Sequence, residues 1–206
     1  MKKILLLTIL LTLTLSTSCG ARKTTPTADP LTTDIGVTIN GITWATRNVD
    51  APGTFTANPE DAGMLFQWNR RNGWNAVDRN VESWEFSPPG GTAWYAENDP
   101  CPEGWRVPTE DELRSLRNAG SEWTTVNGIN GRLFGTAPYQ LFLPASGWRS
   151  GIDSSLNSVG VVGDYWSSTQ NVNEYAVVLW LYSERVNVGG GWRRSGLSVR
   201  CVAKNN

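Results

Sequence analysis

Residues 101–113 read CPEGWRVPTEDEL, and this stretch says most about the fold of the chain. Its second half predicts a helix start, because the Thr109 hydroxyl and the Glu112 carboxylate can each cap an open backbone amide of the first turn. Leu113 and Leu116 then fall on one helical face, and Gly120 ends the helix. The acidic residues at 110–112 complement the helix dipole, so we interpret them as structural and not as a catalytic cluster.

The first 18 residues are typical of a secretory signal peptide. Lys2 and Lys3 precede an uncharged run of Leu, Ile and Thr, and small residues follow. The apolar run is shorter than the roughly 20 residues that a membrane-spanning helix needs. Cys19 follows the small residues directly and resembles the acylated cysteine of a bacterial lipoprotein, although Ser16 stands where Leu is usual. We therefore predict a lipid anchor such as palmitate on Cys19; the alternative is an ordinary signal peptide followed by a chance cysteine.

Residues 19–36 predict a flexible tether between this anchor and the domain, since they are rich in Thr, Pro and Ala without apolar periodicity. Gly20 stands where an Asp would resemble an inner-membrane retention signal, which favours the cell outer membrane. Ala21-Arg22-Lys23 replaces the acidic residues that often accompany surface export in Bacteroidota. The periplasmic and the surface face therefore both stay open.

Cys101 and Cys201 are predicted to form a disulfide bond, because the secretory route leads to an oxidising compartment. Cys201 shares one face of a predicted last strand with Leu197 and Val199, which suits a buried bridge. The alternative is two separate buried thiols.

The composition excludes several kinds of enzyme and partner. The chain has no histidine, which excludes Ser-His-Asp and Cys-His nucleophile systems and His-ligated zinc. Its net charge is −1 and it has no basic stripe, so no nucleic-acid partner is predicted. With one cysteine acylated and two paired, no reactive thiol is left. We therefore predict a protein that is not an enzyme and that uses no cofactor and no metal.

The remaining patterns predict mostly strands and loops. Residues 70–99 and 149–163 have no clear period and predict loops. The succession of strands, one helix, loops and strands predicts an α+β fold. Strands are predicted at 37–44 (a hairpin around Asn40-Gly41), 63–68, 141–144, 175–181, 183–188 and 196–202.

Four motifs that occur in order resemble one family. They are NDPCPEGWRVPT (98–109), LPASGWR (143–149), GDYWSST (163–169) and VRCV (199–202). Together with NGITW (40–44), they look like the Fibrobacter succinogenes major paralogous domain, which is abundant in envelope lipoproteins and would cover residues 37–203. That family is similar to the C-type lectin-like superfold. The resemblance implies a looped domain with small antiparallel sheets, one or two helices and long irregular loops, in which the first and last strands adjoin.

The superfold does not carry its known activities over to this chain. Calcium-dependent lectins have a Trp-Asn-Asp triplet, whereas Ser167 and Ser168 follow Trp166 here, and no Glu-Pro-Asn triplet occurs. The similar formylglycine-generating enzymes need reactive cysteines near the carboxyl end, where this chain has only Cys201. Function has to be argued from a site and not from the fold.

We expect a non-enzymatic envelope protein whose domain binds a glycan or another protein. The eleven Trp are expected to be mostly structural, with a few exposed against sugar rings. The alternatives are a structural or accessory subunit of a surface or fimbria-like assembly, and a hydrolase with two carboxylates about 5 to 10 Å apart. The alternative for Trp148 and Asp164 is that they only hold the loops in place. If a ligand binds at the projecting loops, the candidate residues are Trp148, Arg149, Asp153 and Asp164.

Overall fold

The structure is a computed structural model, and it describes residues 29–204. The predicted signal peptide, the predicted acylation site Cys19 and the first part of the predicted tether lie outside the described residues. The elements in chain order are β1 (Val37–Ile39), β2 (Ile42–Trp44), β3 (Met64–Gln67), β4 (Gly73–Asn75), a 3₁₀ helix (Ala96–Asn98), β5 (Trp105–Arg106), α1 (Glu110–Asn118), β6 (Ser121–Val126), β7 (Ile129–Thr136), β8 (Tyr139–Pro144), β9 (Trp148–Arg149), β10 (Leu156–Asn157), β11 (Gly163–Gln170), β12 (Tyr175–Leu181), β13 (Val186–Trp192), β14 (Gly196–Leu197) and β15 (Val202–Ala203).

The strands form four small antiparallel sheets. Their orders are β1-β2-β15-β5, β10-β9-β14-β3-β4, β11-β12-β13 and β6-β7-β8. The last strand pairs with β2 through Val202 and Trp44, so both ends of the described chain meet in one sheet. The described chain is mostly β-sheet, with one nine-residue α-helix. The prediction of an α+β, C-type lectin-like looped domain is therefore wrong, because the fold is richer in β-structure.

Much of the additional β-structure lies where the sequence patterns predict no strand. β6 pairs over its full length with residues 129–134 of β7. Asn127 and Gly128 between them have the positive φ angles, 49° and 83°, that a two-residue hairpin turn requires. The Asn-Gly pair is a hairpin signal. The strands beside it are hard to recognise because half of their residues are polar and only three of the fourteen are buried.

Helix α1 confirms the predicted capping box. The Thr109 hydroxyl accepts a hydrogen bond from the Glu112 amide at 3.3 Å, and the Glu112 carboxylate accepts one from the Thr109 amide at 2.7 Å. Glu112 also forms an ion pair with Arg106 of β5, which fixes the start of the helix to the first sheet. Leu113 and Leu116 are buried in a core that includes residues of β8, β11 and β12.

The predicted disulfide bond between Cys101 and Cys201 is present. The single strand predicted over 196–202 is wrong, because the segment forms β14 and β15 with an irregular stretch between them. Ser198 and Arg200 would face solvent in an alternating strand, yet both are buried with their neighbours. The segment lies between two sheets and hydrogen-bonds through its backbone to the chain just after β2.

Residues 29–36, which the sequence pattern assigns to the tether, are held against the domain. Arg47 forms an ion pair with Asp34, and its Nη1 atom donates hydrogen bonds to the carbonyl oxygens of Pro30 at 3.0 Å and Thr56 at 2.8 Å. The carbonyl of Leu31 accepts a hydrogen bond from the Phe55 amide. Ordered contacts with the domain thus begin before β1.

Candidate binding cleft

A cleft of about 590 Å³ opens between loops of three different sheets. Its walls come from the β2–β3 loop, the end of β4, the β6–β7 turn, the end of β8 and the chain after β10. Because these segments are far apart in sequence, the fold alone brings them together. The volume lies within the range of about 300 to 1,000 Å³ that is usual for ligand sites.

The lining of the cleft is aliphatic and acidic. Val77, Ile129 and Val159 line it while 84%, 43% and 54% of their surfaces are exposed. Three acidic residues line it as well: Asp50, Glu60 and Asp61. Among the described residues, no Lys, Arg or aromatic side chain contributes to the lining. The cleft therefore offers apolar surface beside negative charge that no lining cation compensates.

One wall of the cleft is fixed by Arg149. This side chain is fully buried, and its guanidinium donates hydrogen bonds to the carbonyl oxygens of Asn75, Asp78 and Ser154. The Asn75 side chain in turn accepts hydrogen bonds from the amides of Val77 at 3.0 Å and Asp78 at 2.8 Å. The turn that carries Val77 is thereby held from both sides.

A buried polar network supports the opposite wall. Asn48 donates to the carbonyl oxygen of Ala62 at 2.9 Å and accepts from Nε of Arg200 at 2.9 Å. The Tyr165 hydroxyl lies 3.4 Å from the Asn48 amide nitrogen and donates to the carbonyl oxygen of Pro144 at 2.8 Å. Burial lowers the pKa of Arg200 to about 10, so the guanidinium stays charged at neutral pH.

Hydrogen bonds also join the walls to one another. Nδ2 of Asn127, in the β6–β7 turn, donates to the Glu60 carboxylate at 2.6 Å. Asn130 donates to the carbonyl oxygen of Gly160 at 3.1 Å. The cleft is therefore preformed, and a ligand that enters it has little loop ordering to impose.

The four ligand residues predicted from the sequence do not line this cleft. Trp148 is half-buried and packs against the hydrophobic core. Arg149 is a positioning residue, because it binds backbone carbonyls of one wall and does not line the cleft. The Asp153 carboxylate is exposed and accepts hydrogen bonds from the hydroxyl and amide of Ser155. Hydrogen bonding with Ser150 and Ser155 holds its pKa below the usual value.

Asp164 lies on β11, where its Cα pairs in register with that of Trp180. Its Oδ1 atom is buried and has no hydrogen-bond partner among the described residues. Burial raises the pKa of this carboxyl to about 7. The four predicted residues therefore have four different surroundings. Trp148 packs against the core, Arg149 supports a wall of the cleft, Asp153 lies in a turn, and Asp164 is a buried acid.

None of the residues that line the cleft is among the four predicted ligand residues, although the sequence does contain a signal for them. Three polar turns each carry one branched aliphatic residue: NAVD at 75–78, NGIN at 127–130 and NSVG at 157–160. An isolated aliphatic side chain in a polar turn has no apparent role in a core. Only the fold shows that the three meet.

The eleven Trp residues are mainly structural. Seven of them are buried, and the other four are half-buried. None lines the cleft. The buried members are Trp44, Trp68, Trp74, Trp84, Trp94, Trp105 and Trp166.

No protein-family model, curated protein or solved structure matches this chain. Within residues 29–204, no helix has the length and apolar character needed to cross a membrane. The same residues contain no group of three or more His, Cys, Asp or Glu side chains placed to hold a metal ion.

Proposed function

We propose that this protein is a lipid-anchored component of the cell outer membrane whose domain binds another protein and catalyses no reaction. The observation that carries the proposal is the preformed cleft, which exposes Val77, Ile129 and Val159 beside uncompensated carboxylates. Exposed apolar surface in a concave site is typical of binding surfaces. The resemblance to an envelope lipoprotein family supports the location.

The occupant that fits the cleft is a protein segment with aliphatic side chains and at least one Lys or Arg. Aliphatic side chains bury the apolar lining, which is worth about 25 cal/mol per Å² removed from water. A cation complements Asp50, Glu60 and Asp61, for which the cleft supplies no positive partner. A neutral sugar fits less well, because the lining has no aromatic ring on which it could stack. A subunit of a surface or fimbria-like assembly is an example of such a partner.

The carboxylates of the cleft favour binding over hydrolysis. Two of the three already accept hydrogen bonds that shape the walls, Glu60 from Asn127 and Asp61 from the backbone and side chain of Asn58. A glycosidase needs two carboxylates that act on one bond, as acid and as nucleophile or base. Of the three carboxylates in the described lining, Asp50 alone accepts no side-chain hydrogen bond from the described residues.

Binding of defined peptides to the mature chain tests this proposal. Three sets of twelve-residue peptides serve as probes: aliphatic with Lys or Arg, aliphatic with Asp or Glu, and basic without aliphatic residues. We expect the first set to bind, and to bind at least tenfold more weakly at high salt, because part of the attraction is between charges.

The double variant Val77→Ser, Val159→Ser is expected to weaken binding of the first set at least tenfold. The matched control is Val172→Ser, which changes a valine that is 67% exposed and lies outside the cleft. Equal binding of the acidic and basic aliphatic sets, or an equal loss in the control variant, overturns the proposal.

A further inference from the structure

A second hollow, of about 510 Å³, shares no lining residue with the cleft. Three segments line it, residues 69–72, 85–91 and 95–98. We call it the polar groove, since its lining comprises two arginines, three asparagines, one glutamate and one tyrosine beside glycine and proline. Its chemistry is the opposite of that of the aliphatic cleft.

Asn69 holds the three segments of the polar groove together. It is buried, and its side-chain oxygen accepts hydrogen bonds from the Tyr95 amide at 2.8 Å and from Nδ2 of Asn98 at 3.2 Å. Its Nδ2 atom donates to the carbonyl oxygen of Gly90 at 3.0 Å. One buried amide thus fixes the relative positions of all three walls, which is the preorganisation that a binding site requires.

The Tyr95 ring lies against Gly91 at the wall of the groove. Gly91 has a φ of 97°, and a Cβ atom there would lie 2.8 Å from Nδ2 of Asn69 and 3.0 Å from the Tyr95 ring. The carbonyl of Gly91 is held from below by Nη1 of the buried Arg193, at 2.9 Å. Tyr95 remains 42% exposed, so an aromatic surface is available to a ligand.

The groove carries one uncompensated positive charge. Arg70 forms an ion pair with Glu85 and also donates to Ser87, so its charge is balanced. Arg71 is exposed and donates from Nη1 to the carbonyl oxygen of Asp99 at 2.8 Å, and no carboxylate of the described chain pairs with it. The other guanidinium donors of Arg71 are therefore available to an anion.

Amide groups complete the set of polar contacts. The Asn72 side chain makes no hydrogen bond within the described part of the chain, and the Asn98 side chain uses only its nitrogen. An amide side chain offers both donors and acceptors, which is what the hydroxyl groups of a sugar need.

We propose that the polar groove binds a saccharide that carries a carboxylate, such as a uronic acid unit. The carboxylate pairs with the planar guanidinium of Arg71, which matches the geometry of carboxylates. The hydroxyl groups bond to the amides of Asn72 and Asn98, and an apolar face of the sugar ring covers Tyr95. A phosphate dianion fits less well, because only one cation in the groove lacks a partner.

Titration of the full mature chain with defined trisaccharides tests this site. The probes are a galacturonic acid trisaccharide, the matching neutral galactose trisaccharide and inorganic phosphate. We expect the acidic trisaccharide to bind at least tenfold more tightly than the other two. Arg71→Gln is expected to abolish this preference, and Tyr95→Ala to weaken both trisaccharides.

Matched controls exist for both variants. Arg79→Gln changes an exposed arginine of the same loop region, and Tyr139→Ala changes a tyrosine on β8 that is 64% exposed. Neither residue lines the groove, so both variants should bind the trisaccharides as the unchanged protein does. Equal affinity for the acidic and neutral sugars, equal affinity for phosphate, no binding at millimolar concentration, or an equal loss in the controls each overturns the proposal. Val77→Ser leaves this binding unchanged, so the result is independent of peptide binding in the cleft.

Discussion

Two hydrogen bonds join the side chain of Arg149 to the backbone carbonyl oxygen of Asn75, at 3.0 Å from Nε and 2.6 Å from Nη2. They connect β9 with the end of β4, which is the edge strand farthest from β9 in the five-stranded sheet. Arg149 therefore positions the wall of the cleft that carries Val77, and it does not line the cleft itself.

Replacement of Arg149 by Met is expected to destabilise the domain and to open the cleft. The variant leaves the buried carbonyls of Asn75, Asp78 and Ser154 without their donor, at about 1 to 3 kcal/mol for each unsatisfied group. We expect a loss of at least about 3 kcal/mol in the free energy of unfolding, measured by urea denaturation. At a temperature where the variant is folded, peptide affinity should fall about tenfold.

Arg149→Lys distinguishes positioning from charge. Lysine keeps the charge but has no planar fork, so it cannot bond three carbonyls at once, and the peptide affinity should be restored only in part. Arg79→Gln is the control for loss of an exposed arginine. If Arg149→Met has the same stability and the same peptide affinity as this control, Arg149 does not position the wall of the cleft.

Asp164 is expected to make the domain less stable as the pH rises from about 4 to about 7. Its pKa is raised from 3.8 to about 7 by burial, so the folded state holds the proton more tightly than the unfolded state. The proton on Asp164 stabilises the folded state fully below pH 3.8, and this stabilisation is lost as the pH rises through 7. The total loss in the free energy of unfolding is up to about 4 kcal/mol. Asp164→Asn should raise the melting temperature at pH 8 and flatten its decline between pH 5 and pH 8. The exposed Asp153→Asn serves as control, and an unchanged decline in Asp164→Asn refutes the prediction.

Loss of the disulfide bond is expected to cost about 2 to 5 kcal/mol in the free energy of unfolding. Cys101 and Cys201 are 100 residues apart, so the bond restricts about half of the unfolded chain of 206 residues. The double variant Cys101→Ala, Cys201→Ala should show this loss in guanidinium denaturation. A reducing agent should destabilise the unchanged protein equally and leave the double variant unaffected. If the agent does not alter the unchanged protein, the bond does not stabilise the fold.

Acylation of Cys19 is expected when the full chain is expressed in a bacterium that processes lipoproteins. An alkynyl analogue of palmitate should label the unchanged protein, and Cys19→Ser should lose both the label and the association with membranes. Cys101→Ser is the control that keeps the label. Mass spectrometry of the mature amino terminus detects the alternative, an ordinary signal peptide cleaved elsewhere, which would refute the anchor.

The sequence predicts those parts of the fold whose signals are local. The capping box at Thr109 and Glu112 needs only neighbouring residues, and the β1–β2 hairpin forms around Asn40-Gly41 as predicted. The segment around Arg200 could not be predicted, because its burial on both sides arises from sheets contributed by distant parts of the chain.

The cleft could not be predicted for the same reason. Val77, Ile129 and Val159 are unremarkable in their own turns, and their proximity depends on how three sheets are arranged. Arg149 is predicted as a ligand residue of the projecting loops. Only its contacts with Asn75 and Asp78 show that it supports a wall of the cleft instead.

Under the proposed anchoring at Cys19, Arg47 limits the distance between the edge of the cleft and the bilayer. One nitrogen of this side chain binds both Pro30, at the start of the described chain, and Thr56, which lines the cleft. With the proposed anchor on Cys19, the eleven residue steps from Cys19 to Pro30 span at most roughly 40 Å. The proposed anchor would therefore keep this edge of the cleft in a shallow layer above the membrane, and the proposed partner would bind within that layer.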